Sequence, residues 1–459
     1  MKSGSRAAAL VVSGVLVGAV SACGSADPAV GPAEIDAESR ITAPPGFDAE
    51  SGWEYKPAWM PGLEPLPVAT STSGQIAHLD QTQEGYVLRV REAASGDEVW
   101  SSTPWKAPDL TKSQLAGDPE SWDSDRPMTV PRVMRITSGG QEYFAVLAYG
   151  EKRADQLHEA EEGVSVSFYP AASSGDSVAP VSSADLTEAS ESTDLRSTPT
   201  GLLAQADATS WLVDPATGKT TETPAASEEW EDDPVFPTSK GLVHKGRSGG
   251  FGIPGGWRSD QVAPPGVPAT LGDPSEETWF STAPETDYNG DISGAVEGHL
   301  LAKWTNPDTN DVITAVHDAE TGRVEATAPC DVSAVWGVDF QVPESVTSDL
   351  TPALSPNGQY LVAEGALFDL KSGKGFCSDS DEKAKEINLI SVGDDGTAYG
   401  WAEGDDDDSP KTPVSVTAQG STALPPETRI PAAVLGDTGV FASDPGQDAA
   451  GLVVISKNG

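Results

Sequence analysis

The sequence predicts an all-β chain built from a repeated antiparallel unit. Three observations carry this. Short runs rich in β-branched, aromatic or apolar residues recur along most of the chain, bounded by Gly, Asp, Asn, Ser or Pro. Helical periodicity is scarce, and its best trace is one charged stretch, Lys152–Glu162. One turn pattern (an aspartate or similar, two variable residues, Thr or Ser, then Gly) returns where strands end.

Taken in order, residues 1–22 read in three parts. Lys2 and Arg6 give a positive start, Ala7 to Val20 is apolar, and Val20-Ser21-Ala22 precedes Cys23. A charged head, an apolar stretch and small residues at the cut make a secretory signal. The apolar stretch falls short of the roughly 20 residues of a membrane span. Val20-Ser21-Ala22-Cys23 resembles the bacterial lipobox. That resemblance implies diacylglycerol in thioether linkage on Cys23, cleavage after Ala22 and acylation of the new amine with palmitate-like chains. Two or three acyl chains suffice for stable anchoring. The chain is then held on the extracytoplasmic face of the cell membrane. An ordinary secreted protein, with Cys23 incidental, is the alternative reading.

Residues 23–67 lack sustained periodicity and are rich in proline, among them Pro28, Pro32, Pro44, Pro45, Pro57, Pro61, Pro65 and Pro67. They read as an extended tether. Trp53, Tyr55 and Trp59 near its end are expected to dock on the folded body.

From 68 to 459 the chain is strands and turns. Candidate strands are Gln75–Leu79, Tyr86–Arg91, Arg132–Thr137, Tyr143–Tyr149, Val164–Tyr169, Leu202–Ala206, Ser210–Val213, Leu300–Trp304 and Val312–His317, then Tyr360–Ala363, Ala366–Leu370, Ile387–Ser391, Ala398–Ala402, Val414–Thr417, Gly439–Ala442 and Leu452–Ile455. Polar insertions interrupt them at 106–127 and 152–162. The best copies of the repeated turn are Asp214-Pro215-Ala216-Thr217-Gly218, Asp318-Ala319-Glu320-Thr321-Gly322 and Asp369-Leu370-Lys371-Ser372-Gly373, with weaker copies ending at Gly96 and Gly175. The Asp side chain caps its own turn, and Gly takes the positive φ that reverses the chain. Gly175 to Gly218 and Gly322 to Gly373 each span one repeat of about 40–50 residues, and Gly218 to Gly322 spans two.

These turns resemble those of the quinoprotein-like (PQQ-type) propeller repeat. Leu354-Ser355-Pro356-Asn357-Gly358-Gln359-Tyr360-Leu361 resembles the strand-turn-strand of WD40-like propellers. The resemblance implies a β-propeller over 68–459, seven blades being favoured with eight as the alternative. Leu452–Ile455 is expected to pair with the first blade and close the ring. Two stacked all-β domains are the rival architecture. The PQQ cofactor is not expected, because the Trp-bearing repeats are fewer than in quinoprotein dehydrogenases.

The 459 residues carry 71 acidic against 28 basic side chains, a net charge of −43. Such a field repels phosphate backbones and anionic headgroups, which excludes nucleic acid as a partner. Richness in Gly, Ala, Thr and Asp with few Lys resembles exported proteins of high-GC Gram-positive, actinobacterial type. With Cys23 lipidated, Cys330 and Cys377 remain as an even pair in an oxidising compartment. A disulfide between them, stapling adjacent blades, is expected, and two separate buried thiols are the alternative.

Candidate chemistry is sparse. Gly246-Arg247-Ser248-Gly249-Gly250 matches the G-x-S-x-G of serine hydrolases, but Phe251-Gly252-Ile253-Pro254-Gly255-Gly256 cannot continue as the required helix, so a turn is expected. Asp287, Asn289 and Asp291 alternate as calcium ligands would, yet lack the Gly and Glu of an EF-hand loop. Asp405, Asp406, Asp407 and Asp408 form an acidic run. Calcium is conceivable at either place, and a solvated loop is the preferred reading. The five histidines show no metal-ligand spacing, and His317 reads as structural. Most Trp residues are expected to pack between blades. No catalytic residue is singled out. The expectation is a monomeric, anchored, non-catalytic scaffold for an envelope protein or small ligand. An envelope glycan hydrolase or lyase with axial carboxylates and a cofactor-binding redox propeller are the alternatives.

Overall fold

The computed structural model describes residues 35, 40–57, 68–109, 131–152, 161–187, 189–190, 193–206, 209–223, 230–247, 249–270, 288–332, 352–378, 385–404, 410–442 and 451–457. Among them the only helical element is a 3-10 turn at Ser259–Gln261. The first strand is β1 (Phe47–Tyr55). Meander 1 follows with β2 (Val68–Thr70), β3 (Gln75–Thr82), β4 (Gly85–Glu92) and β5 (Glu98–Ser102). Meander 2 holds β6 (Arg132–Ser138), β7 (Gln141–Lys152), β8 (Glu161–Pro170) and β10 (Ser182–Leu186), while β9 (Gly175–Val178), which precedes β10 in the chain, adds to the edge of meander 1 as the parallel partner of β5. Meander 3 is β11 (Asp194–Thr198), β12 (Gly201–Ala206), β13 (Thr209–Val213) and β14 (Thr220–Glu222). Meander 4 has three strands, β15 (Trp230–Thr238), β16 (Gly241–Gly246) and β17 (Phe251–Gly252).

Meander 5 comprises β18 (Asp291–Val296), β19 (His299–Thr305), β20 (Val312–Asp318) and β21 (Val324–Ala328). Meander 6 comprises β22 (Ala353–Leu354), β23 (Tyr360–Ala363), β24 (Ala366–Asp369) and β25 (Lys374–Cys377). Meander 7 is β26 (Ile387–Val392), β27 (Ala398–Ala402), β28 (Thr412–Thr417) and β29 (Gly420–Ala423). Meander 8 is β30 (Ala433–Leu435), β31 (Thr438–Ala442) and β32 (Leu452–Lys457), completed by β1. Meanders 5 and 6 join into one sheet through a single parallel pair, Thr327 with Lys374, and are otherwise separate antiparallel sets.

Each meander packs face to face on the next. Leu79, Val90 and Trp100 of meander 1 meet Phe144, Val146 and Tyr169 of meander 2. Leu147 and Phe168 meet Leu195, Leu202 and Trp211 of meander 3. The strand β15 of meander 4 lies against β11, β12 and β13. Phe236 and Phe251 then meet Leu300 and Trp304, Leu301 and Val316 meet Leu361 and Phe368, Val362 and Leu367 meet Leu389 and Val416, and Tyr399 and Leu424 meet Val434 and Phe441. Finally Trp53, Leu452 and Val454 of meander 8 meet Ile76 and Ala93 of meander 1. The series closes on itself as a ring, which is a β-propeller. First strands of successive meanders lie side by side, β2 with β6, β6 with β11, β22 with β26 and β26 with β30, so they form the inner wall.

The local sequence explains this layering. A sheet held between two neighbours buries both faces, so its middle strands read as unbroken apolar runs. Tyr143-Phe144-Ala145-Val146-Leu147-Ala148-Tyr149 in β7 is buried throughout. Alternate residues serve opposite neighbours: Leu300, Ala302 and Trp304 face meander 4, and Leu301 between them faces meander 6.

The described strands group into eight meanders, where the sequence favours seven and leaves eight as the alternative. Two residue-level expectations are corrected. The segment read as tether, 23–67, contributes β1, whose Trp53, Glu54 and Tyr55 pair with Val454, Val453 and Leu452. Leu452–Ile455 therefore closes the ring within meander 8, with β31 on one side and β1 on the other, rather than by pairing with meander 1. The proline pattern hid β1, because its apolar residues sit at its two ends (Phe47, then Trp53 and Tyr55) around a polar bulge at Asp48–Ser51. Trp53 and Tyr55 dock as expected, and Trp59 lies outside the described residues. The helical trace at 152–162 begins and ends in strand, since Lys152 pairs with Glu161 across β7 and β8; 153–160 lie outside the described residues.

Candidate functional site

The repeated turns join the third strand of a meander to its fourth. Asp214 accepts from Ala216 N at 2.9 Å and Thr217 Oγ1 at 2.7 Å. Asp318 accepts from Thr321 N at 2.8 Å and Thr321 Oγ1 at 2.7 Å. Asp369 accepts from Lys371 N at 3.1 Å and Ser372 N at 3.3 Å. Burial pushes the Asp369 carboxyl upward, but hydrogen bonds from Ser372, Gln359 and Lys371 outweigh it and hold it below the usual range. The turn glycines have φ of +69° to +86°, and four of the five also approach the preceding meander: a Cβ on Gly218 would lie 2.4 Å from the Ser183 carbonyl and one on Gly373 3.3 Å from the Glu325 carbonyl. A Cβ on Gly96 would lie 2.8 Å from the Trp53 indole, and one on Gly322 would lie 2.6 Å from the Trp257 indole. The aspartates are therefore consumed within their turns.

The turns between first and second strands lie at the same end of the ring, nearer its axis, and interlock. Thr72 N donates to Glu142 Oε1 at 3.1 Å, joining meanders 1 and 2. Gly139 N donates to the Pro199 carbonyl at 3.3 Å, joining meanders 2 and 3. Ser239 donates through its N at 2.7 Å and its Oγ at 2.6 Å to Glu320 in the repeated turn of the next meander, joining meanders 4 and 5. Asn357 N donates to Asp394 at 2.9 Å, and Lys457 Nζ reaches Asp395 at 2.9 Å. At the centre, Arg135 of β6 places one guanidinium nitrogen 3.4 Å from Glu142 and the other on Glu297, in the turn between β18 and β19. Burial lowers the Arg135 pKa and the Glu142 charge opposes that shift.

A second polar cluster sits in the closing seam between meanders 8 and 1. Register puts His78 and Asp80 of β3 on one face with Arg89 and Arg91 of β4. Arg91 Nε donates to His78 Nε2 at 3.1 Å and Nη1 to the Gly96 carbonyl at 3.0 Å. Arg89 pairs with Asp80 and, at 2.8 Å, with Glu98. The Tyr55 ring stacks on His78 at 3.9 Å, and its hydroxyl donates to the Leu79 carbonyl at 3.1 Å. Burial drives the His78 pKa down to about 3; Asp80 opposes this, and both arginines add to it. A neutral ring accepting at Nε2 carries its proton on Nδ1, which lies 3.7 Å from Asp80.

His317 is structural, as expected. Its Nδ1 bonds the Gly322 carbonyl at 2.8 Å and its Nε2 accepts from Trp304 Nε1 at 3.1 Å. Burial drops its pKa to about 4, opposed by the Gly322 hydrogen bond and the Glu325 charge.

The sequence-derived candidates fall out as follows. Cys330 and Cys377 form a disulfide with Cα atoms 6.2 Å apart, joining meanders 5 and 6. Cys23, Asp287, Ser248 and Asp405, Asp406, Asp407 and Asp408 lie outside the described residues. Asn289 is a buried clamp: its Nδ2 donates to Pro268 O at 2.8 Å and Thr305 O at 2.7 Å, and its Oδ1 accepts from Gly290 N at 2.9 Å and Thr305 N at 3.1 Å. Asp291 is exposed and reaches Lys245 at 3.3 Å. The structure thus gives Asn289 another task than holding calcium and does not bring Asn289 and Asp291 together on one centre. Gly246 N donates to Gly250 O at 2.9 Å, closing a tight turn between β16 and β17 where G-x-S-x-G would need a helix. Trp100, Trp105, Trp211 and Trp304 all pack in the clusters between meanders, as expected.

Arg135, Glu142 and Glu297 were not legible as a group, since their meeting is set by ring closure. The seam cluster left a trace: His78-Leu79-Asp80 and Arg89-Val90-Arg91 each put charge-bearing residues on one face of an otherwise apolar strand.

No family model matches the chain, and no curated protein matches it. Among solved structures it is similar to BamB from Moraxella catarrhalis, at 12% identity and a TM-score of 0.38 over 88% of this chain and 99% of that one. It is similar to the Dos1 propeller at 9% identity and a TM-score of 0.37, over 88% and 95% of the two chains. It is also similar to prolyl oligopeptidase B from Galerina marginata at 11% identity and a TM-score of 0.27, over 85% and 53%. On its own strand order and packing, the chain is a β-propeller.

Proposed function

We propose that this chain is a lipid-anchored scaffold of the bacterial cell envelope, held by acyl chains on Cys23 and presenting the interlocked turn face of its propeller to a protein partner. The observation that carries the scaffold reading is the way polar groups at that face are spent. Glu142, Glu297, Glu320, Asp394 and Asp395 all bind across meanders. They make the turns one rigid surface, which lowers the ordering cost of binding. The Cys330–Cys377 bond supports an oxidising compartment. The signal, the lipobox-like residues and Cys23 support the anchor. The acidic body repels anionic headgroups, so lipid supplies the membrane affinity.

The test is photo-cross-linking in intact membranes, with the probe placed at Thr72, Lys240 or Asn357 on the turn face. One discrete adduct, competed away by added Cys23→Ala protein, is expected. Equal labelling from probes on the opposite face, with no competition, would overturn the reading.

A further inference from the structure

We propose that Arg135 and Glu297 form a clasp across the mouth of the ring. In a ring, each meander meets its two neighbours through its faces. Arg135 belongs to meander 2 and Glu297 to meander 5, three places apart in chain order. Their ion pair can form only over the central space, since meanders 3 and 4 fill the wall between them. Arg135 sits on β6, one of the inner strands, and Glu297 sits at the tip of an inner turn, so both side chains start at the rim of that space.

The local geometry is specialised for this reach. Val296 pairs with His299, leaving Glu297-Gly298 as a two-residue hairpin turn. Both turn residues have positive φ, 46° at Glu297 and 93° at Gly298. Such turns favour Asn or Asp first, and a glutamate there is strained. The carboxylate it projects meets the guanidinium that also lies 3.4 Å from Glu142 Oε1. That same oxygen accepts from Thr72 N at 3.1 Å. One guanidinium thus ties meanders 1, 2 and 5 together.

The clasp is ionic and reachable. Arg135, Glu142 and Glu297 side chains are 21%, 19% and 23% exposed. Partial shelter keeps the pair formed, and partial exposure lets mobile ions or a charged group of a docking partner compete for it. The clasp therefore sets whether this mouth is shut or open, whatever the ring binds, so its test stands apart from the scaffold reading.

The experiment is amide hydrogen exchange on the full chain. Wild type, Arg135→Ala, Glu297→Gln and Arg135→Ala/Glu297→Gln are compared, in low salt and in 1 M NaCl. Arg135→Ala is expected to speed exchange at Gly298 and His299 in meander 5 by severalfold. Glu297→Gln, the milder change, is expected to do the same at Thr72 and Gly139 across the mouth. The double variant should add nothing to either, and high salt should reproduce part of the increase in wild type. Exchange at Gly298 and His299 that ignores Arg135→Ala, or at Thr72 and Gly139 that ignores Glu297→Gln, would overturn the clasp. So would additive effects in the double variant.

Discussion

The indole of Trp53 lies flat against Gly96, so close that a Cβ on Gly96 would stand 2.8 Å from the ring. Trp53 belongs to β1, the strand that closes the ring, and Gly96 to the first repeated turn. The indole nitrogen donates to the Ala93 carbonyl at 2.8 Å in that same turn. Closure and repeat therefore meet at one contact. Gly96→Ala suffers both the positive φ of +74° and the collision, while Gly175→Ala suffers only its φ, with nothing within 4 Å. Urea denaturation should show Gly175→Ala costing about 1 kcal/mol and Gly96→Ala about 2–4 kcal/mol, the clash adding about 1–3.

Trp53→Ala should act as the removal of a buried anchor. It leaves a void between Leu452, Val454, Ile76 and Ala93, costing about 3–5 kcal/mol. Hydrogen exchange should rise first in β1 and β32, which that contact holds, and later elsewhere. Uniform loosening of all meanders would mean that closure does not pass through β1.

Acid should weaken the fold through two histidines. His78 and His317 are neutral in the folded chain, with pKa values pushed to about 3 and about 4 by burial. Unfolded histidine titrates near 6.5, so between there and the folded values the unfolded state binds more protons. Stability therefore falls as pH drops through that window. Each unit of depression corresponds to about 1.4 kcal/mol. His317→Gln can keep a donor and an acceptor, so its denaturation free energy should fall less steeply from pH 7 to pH 5 than that of wild type.

Reduction of Cys330–Cys377 should cost about 2–4 kcal/mol and leave a folded ring, since meanders 5 and 6 also share Leu301, Val316, Leu361 and Phe368. Calorimetry with and without reductant measures it. An unchanged transition would mean that the apolar cluster alone sets this interface.

Much of the fold was legible because the ring buries both faces of its middle strands. Tyr360–Ala363 and Ala398–Ala402 coincide with β23 and β27 residue for residue, and the other candidate strands match observed ones to within a few residues. Edge strands escaped notice. Thr220–Glu222 and Gly420–Ala423 are polar and largely exposed, pairing on one side only. Meander 4 was missed entirely, since β15 carries Pro234 and Pro237 within its run and β16 ends in the Gly-rich turn. The Asp-x-x-Thr-Gly turns were legible down to their hydrogen bonds, because those bonds are local. The Arg135–Glu142–Glu297 group was not, because register within a meander says nothing about what lies across an axis. Cys330 and Cys377 were paired by elimination, an argument that rests on Cys23 carrying lipid.

Cys23 is accordingly where the account is tested most directly. The measurement is intact mass of the protein extracted from membranes, set beside the fractionation of Cys23→Ala. The account predicts a wild-type chain that begins at Cys23 and carries diacylglycerol with further acylation, and a Cys23→Ala protein that leaves the membrane fraction. An unlipidated wild-type mass, with Cys23→Ala still sedimenting fully with membranes, would contradict it.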